Sequence, residues 1–211
     1  MKKGSLIILS GFSGAGKGTI VRRLLETHDN YALSISATTR APREGETHGK
    51  EYFFLTREEF ERRIACGALL EYAEYVGNYY GTPRDYVESQ LEQGKDVILE
   101  IEMQGALKVK QVFPEAVLIF VTTKDAATLR DRLVGRGTET EEVIRKRLHR
   151  SAQETELMRQ YDYLLVNDEL EECVSTLHQI IMTQHHRVCS NQDFIERIST
   201  QLKELDPEKE D

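Results

Sequence analysis

The stretch "LIILSGFSGAGKGTIVRRLLE", residues 6–26, sets four glycines within eight positions, between an apolar run and an amphipathic segment. Glycine loses more backbone freedom on folding than any other residue, so such a cluster needs a structural reason. From Gly11 to Lys17 the spacing is G-x-x-x-x-G-K, with a strand-like run before it and a helical pattern after it. A loop of this kind lets the amides of Ser13, Gly14, Ala15 and Gly16 converge on phosphate oxygens. The following helix adds its positive end, and Lys17 reaches the terminal phosphates. The bland alternative is a strand–helix turn that holds nothing. The residue after the lysine is Gly18, and the first hydroxyl comes at Thr19. Direct coordination of Mg2+ from that first position is therefore impossible. The expected metal contacts are Thr19, acting through water, and Glu100 at the end of a later apolar run.

With 211 residues, 39% of them hydrophobic and 30% charged, the chain has the length and composition of a folded protein with a sizeable core. Its formal net charge of −8 argues against a nucleic-acid partner, since such partners call for a basic face. No run approaches the ~18 apolar residues of a membrane span. Cys66, Cys173 and Cys189 are odd in number and lack C-x-x-C spacing, which points to free thiols in a reduced, cytoplasmic setting.

Four unalternating apolar runs, "LIIL" (6–9), "VILEI" (97–101), "VLIFV" (117–121) and "YLLV" (163–166), have the pattern of strands buried on both faces. Helical segments lie between them. "TREEFERRIACG" offers Thr56 and Glu59 as a capping box with Gly67 as a stop, and "TPRDYVESQLEQG" offers Thr82 as N-cap with Pro83 at N1 and Gly94 as a stop. This alternation predicts an α/β fold around a parallel sheet. Residues 34–81 break it with short strands such as "LLEYAEYVGNYYG" around one helix, as an inserted antiparallel unit would. Residues 130–150 carry seven Arg or Lys against four Asp or Glu, in two helical stretches joined by "GRGTETEE". They read as a movable flap or as a solvated helix face.

Arg40 and Arg43 flank Pro42 in "SISATTRAPREGE" and offer paired guanidiniums for a phosphate dianion. Tyr52, Tyr79 and Tyr80 lie near in sequence. They are candidate phosphate hydrogen-bond donors, with at least one of them expected in a small core. In order and spacing, "SISATTRAPREGE.HGKEYFF", "EYAEYVGNYYGTP", "ILEIEMQGA" and "GRGTETEEVIRKRL" resemble guanylate kinase over about residues 4–184. The resemblance implies a P-loop three-layer fold with a core of residues 1–33, 83–129 and 155–184. It adds an inserted mixed α/β GMP-binding subdomain of about 34–82 and a helical lid of about 130–154. Residues 185–211 remain as an extension, expected to be a helix with a frayed acidic tail.

The same resemblance implies ATP-dependent, Mg2+-assisted phosphorylation of GMP. Gly11, Ser13, Gly14, Ala15, Gly16, Lys17, Gly18 and Thr19 would bind ATP. Lys17, Arg132, Arg136 and Arg147 would surround the transferred group. Arg40, Arg43, Tyr52 and Tyr80 would hold the acceptor phosphate, and Ser36, Glu71, Thr82 and Glu102 would read guanine. Asn167 and Asp168 fall on the adenine side. Guanine presents N1–H beside N2–H2, and one carboxylate accepts from both; adenine would leave that carboxylate unpaired. From alternation alone, Glu71 could equally be an exposed strand carboxylate. Glu102 stands where the family usually has Asp, and Phe12 replaces its common loop proline. Two rivals remain: a related kinase of another phosphorylated acceptor, and a non-catalytic binding module of the same fold. Modules of the second kind degrade the loop lysine or the flap arginines, which stand here. Oligomeric state is not legible.

Overall fold

The computed structural model describes residues 3–75, 77–135 and 140–205. The four apolar runs become strands β1 (Leu6–Gly11), β7 (Asp96–Glu100), β8 (Val117–Thr122) and β9 (Tyr163–Val166). A short edge strand, β2 (Tyr31–Leu33), joins them in a five-stranded sheet of order β2-β7-β1-β8-β9, and every pairing is parallel.

Both faces of β1, β7 and β8 are covered, which requires their continuous hydrophobicity. The edge strand β9 departs from that expectation, burying only Leu165 and leaving Tyr163, Leu164 and Val166 exposed. Along β1, Ile7 and Leu9 pack into one core with Ile20 and Leu24 of helix α1 (Lys17–Thr27) and Leu177 and Ile181 of α7 (Leu170–Gln184). The alternate residues Leu6 and Ile8 pack on the other face with Val87 and Leu91 of α3 (Arg84–Glu92) and Ala106 and Val109 of α4 (Met103–Val112). The result is three layers, with the carboxyl ends of the strands opening at one edge.

Residues between β2 and α3 form a second sheet of β3 (Ala37–Thr38), β4 (Phe53–Phe54), β5 (Leu69–Tyr75) and β6 (Asn78–Pro83) in the order β4-β3-β6-β5. The antiparallel expectation holds for β3 with β6 and for β6 with β5, whereas β3 and β4 run parallel, so the sheet is mixed. Its small core, Ala37, Phe60 and Leu69, is closed by α2 (Arg57–Ala65). Thr56 caps α2 by accepting from the Glu59 amide at 3.1 Å. Thr82 does not cap α3: Pro83 takes that position, and the Thr82 side chain is turned inward for another use.

The basic segment forms α5 (Ala126–Val134) and α6 (Glu141–Glu154), while the intervening residues 136–139, Arg136 among them, lie outside the described residues. In the extension, α8 (Gln192–Glu204) buries none of its residues and leaves Phe194, Ile195, Ile198 and Leu202 exposed. His185 is tied to the buried Asp96 by a 3.0 Å contact between Nε2 and Oδ2. No helix among the described residues is long and apolar enough to cross a membrane.

Phe120 is fully buried in β8 and meets the rings of Phe12 and Tyr161 edge-on, with centroids 5.0 and 5.2 Å away. It ties the glycine loop to the sheet. Phe120→Ala is expected to lower unfolding free energy by about 3–5 kcal/mol in denaturant titration. A loss below about 1 kcal/mol would contradict this packing role.

Candidate active site

β1 ends at Gly11, paired with Val121 on β8, and the chain must turn out of the sheet there. A Cβ on Gly11 would stand 2.1 Å from the Val121 carbonyl oxygen, so only glycine fits. Gly14 and Gly16 both take φ of 92°, in the left-handed region that glycine occupies without strain. Between them Ala15 is fully buried, and its carbonyl accepts from the Asn167 side-chain Nδ2 at 2.8 Å and from Arg132 Nη1 at 3.3 Å. Arg132 Nη2 also donates to the Asn167 carbonyl at 2.9 Å. The loop is thus braced from behind by the residue after β9 and from the side by α5. Lys17, the first residue of α1, lies across the loop and donates to the carbonyls of Gly11 and Phe12 at 2.8 and 3.3 Å.

From α6, Arg147 donates to the Ser13 hydroxyl. Lys17, Arg132 and Arg147 therefore gather on one loop. Glu100, at the end of β7, brings its carboxylate to the start of α1. A Cβ on Gly18 would lie 3.6 Å from Oε2, an ordinary contact. Crowding by protein raises the Glu100 pKa although the residue opens to solvent, and the charge of Lys17 opposes the rise. Thr19 is exposed one position further on. Among the described residues no group of three or more His, Cys, Asp or Glu forms a metal cage.

The second sheet carries the other cluster. Arg40 Nη2 donates to Glu46 Oε1 at 2.8 Å, and the Arg43 amide donates to Glu46 Oε2 at 2.8 Å, which together hold the Glu46 carboxyl below its ordinary pKa. The Arg40 guanidinium lies 5.4 Å from the centre of the Tyr52 ring, and Tyr52 meets Tyr80 edge-on at 6.2 Å. Tyr79 is the aromatic committed to packing: it stacks on Phe60 at 5.2 Å. Ser36 lies between β2 and β3, where its carbonyl accepts from the Phe53 amide at 2.9 Å.

Glu71 is not an exposed strand carboxylate. It faces inward from β5, and the fully buried Thr82 hydroxyl donates to its Oε1 at 2.8 Å. Burial raises its pKa, with the Thr82 bond and then the charge of Lys108 pulling the other way. Glu102 stands at the N-terminus of α4, largely exposed, and accepts from Arg150 Nη2 of α6 at 2.7 Å. Sequence reasoning missed three contributors: Asn167 as a brace, Glu46 as the anchor of Arg40, and Arg150 on Glu102. Asp168 pairs with Lys124 at 3.0 Å.

Residues 3–184 match the family model described as guanylate kinase. The chain belongs to the guanylate kinase family. Among its relatives, a guanylate kinase of Halalkalibacterium halodurans is 53% identical over 93% of this chain and 95% of its own length. One of Streptococcus mutans is 54% identical over 89% and 90%. The crystal structure of guanylate kinase from Anaplasma phagocytophilum superposes with a TM-score of 0.69 at 34% identity, covering 90% of both chains. The family is one of phosphotransferases, which agrees with a phosphate loop set at the carboxyl edge of a parallel sheet.

The half-buried Glu71 gives a pH signature. Its folded pKa lies above the ordinary 4.5, so its favourable contribution is complete below about that pH and is lost as pH rises through the folded value. Glu71→Gln removes the ionisation while keeping the shape and the Thr82 bond. The variant is expected to melt above the parent protein near neutral pH, with the difference closing towards pH 4.5. Thermal melts across that range check it; a variant melting below the parent at neutral pH would contradict the buried, ionised state.

Proposed function

We propose that this chain transfers the γ-phosphoryl group of ATP to the phosphate of GMP, and of dGMP, releasing ADP and the corresponding diphosphate. The observation that carries the choice of acceptor is the pairing of the half-buried Glu71 with the fully buried Thr82. A carboxylate in such a niche is satisfied by the adjacent N1–H and N2–H2 of guanine. It is left unpaired by adenine, a difference that sites of this type convert to about 10⁴ in discrimination. Because the Thr82 proton is already given to Glu71, Ser36 is the hydroxyl that donates to guanine O6. Glu102 can join the base only by leaving Arg150.

Arg40 and Arg43, with Tyr52 and Tyr80, bind the acceptor phosphate. This oxygen is already anionic, so the reaction needs no strong general base. The work is to bring two polyanions together and to neutralise charge spreading over the equatorial oxygens. Lys17, Arg132 and Arg147 supply positive charge, and Arg136 is assigned with them on sequence alone. Closure of α5 and α6 over the loop excludes water and suppresses loss of the phosphoryl group to it. The residues present suit Mg2+ carried in with ATP: Glu100 and Thr19 would hold it through water, since one carboxylate cannot form a cage by itself. Bound there, the ion neutralises the β- and γ-phosphates.

The test is a coupled assay with ATP, Mg2+ and a panel of GMP, dGMP, AMP, UMP and dTMP. Turnover is expected with the two guanine nucleotides, and equal turnover of AMP would overturn the base assignment. Lys17→Ala should lose about 10³ or more in turnover with GMP affinity little changed. Glu71→Gln should weaken GMP affinity, and an unchanged affinity would remove the carboxylate from the site.

A further inference from the structure

Gly105 is the third residue of α4, and its backbone is ordinary right-handed helix, outside the set of positive-φ glycines. Nothing in its backbone conformation calls for glycine, and glycine inside a helix is unfavourable compared with alanine. Its surroundings supply the reason. A Cβ at this position would meet Glu71 Oε2 at 3.2 Å, Glu71 Cδ at 3.5 Å and Glu71 Cγ at 3.6 Å, and these three are its nearest neighbours. The carboxyl of Glu71 therefore packs against the bare backbone of α4 at Gly105 with Oε2 nearest, while the Thr82 hydroxyl lies 2.8 Å from its other oxygen.

We infer that Gly105 is a specificity-determining positioning residue: the missing side chain leaves the space in which the Glu71 carboxylate sits at the angle needed to read the acceptor base. The inference rests on the assignment of Glu71 to the base. A carboxylate that accepts two adjacent N–H groups must keep both direction and depth, and a displacement of a few tenths of an ångström by a methyl group tilts it or breaks the Thr82 bond. The phosphate loop and the arginine–tyrosine cluster have no part in this contact. The effect is confined to recognition of the base.

Gly105→Ala tests it in the full-length protein, beside Glu71→Gln and the double variant. For Gly105→Ala the KM for GMP is expected to rise about tenfold or more, while the KM for ATP and kcat at saturating GMP stay within about twofold. The melting temperature should hold or rise by a few degrees, because the helix gains a better former. In the Glu71→Gln background the same change should add much less than it does alone, as coupled residues do. An unchanged KM for GMP in Gly105→Ala, with Glu71→Gln impaired, overturns the role of Gly105 alone. An unchanged KM in Glu71→Gln overturns the reading of Glu71 beneath it. Fully additive penalties, or a lowered melting temperature with kcat and both KM values affected together, would show a structural role and likewise overturn the inference.

Discussion

Where β1 runs out at Gly11, the carbonyl of Val121 stands so close that no side chain can be placed. The parallel register of β1 on β8 thus dictates the direction in which the chain leaves the sheet, and the loop, the lysine and helix α1 follow from that direction. The loop is then locked by groups distant in sequence. Asn167 and Arg132 hold the Ala15 carbonyl, and the Phe12 ring packs on Phe120. The loop is in this way held rigid by the protein itself, the kind of preorganisation on which electrostatic stabilisation of an anion depends.

The second sheet answers a different requirement. A loop that holds one polyanion does nothing useful unless a second is brought up with its identity checked. On the proposed function that check falls to the half-buried Glu71 carboxylate, whose ionisation opposes folding, and the Thr82 hydroxyl and the charge of Lys108 offset the cost locally. On that proposal recognition and stability conflict at Glu71, as is common where function places a polar group away from water. Helix α6 reaches both the loop and α4: it sends Arg147 to Ser13 of the loop and Arg150 to Glu102 at the head of α4.

Much of this was legible in the sequence. Unbroken apolar runs marked the parallel strands β1, β7 and β8, because a strand covered on both faces cannot alternate; the run at β9 marked an edge strand that leaves Tyr163, Leu164 and Val166 exposed. The glycine–lysine spacing gave the loop. The edge strand Tyr31–Leu33 escaped because three residues carry no periodicity. Thr82 was misassigned as a helix cap for an equally physical reason. "T-P" before a helical pattern is a sound capping signal, and only the β5–β6 pairing shows that the hydroxyl faces Glu71 instead. Asn167 and Glu46 act through contacts across 152 residues and across a tight turn, and local pattern reports neither. Gly105 was not legible at all: within "EMQGALKVKQV" it is one more glycine, and its meaning required the neighbouring strand.

The central claim, that an inward-facing acid identifies the purine while a braced loop holds the donor, is tested most directly by a crystal structure of the protein with GMP and a non-hydrolysable ATP analogue. The account predicts the guanine N1 and N2 within about 3 Å of the Glu71 carboxylate, with the analogue's phosphates wrapped by residues 11–19. A base edge pointing to solvent, or one read by other side chains while Glu71 stays on Thr82 alone, would contradict it.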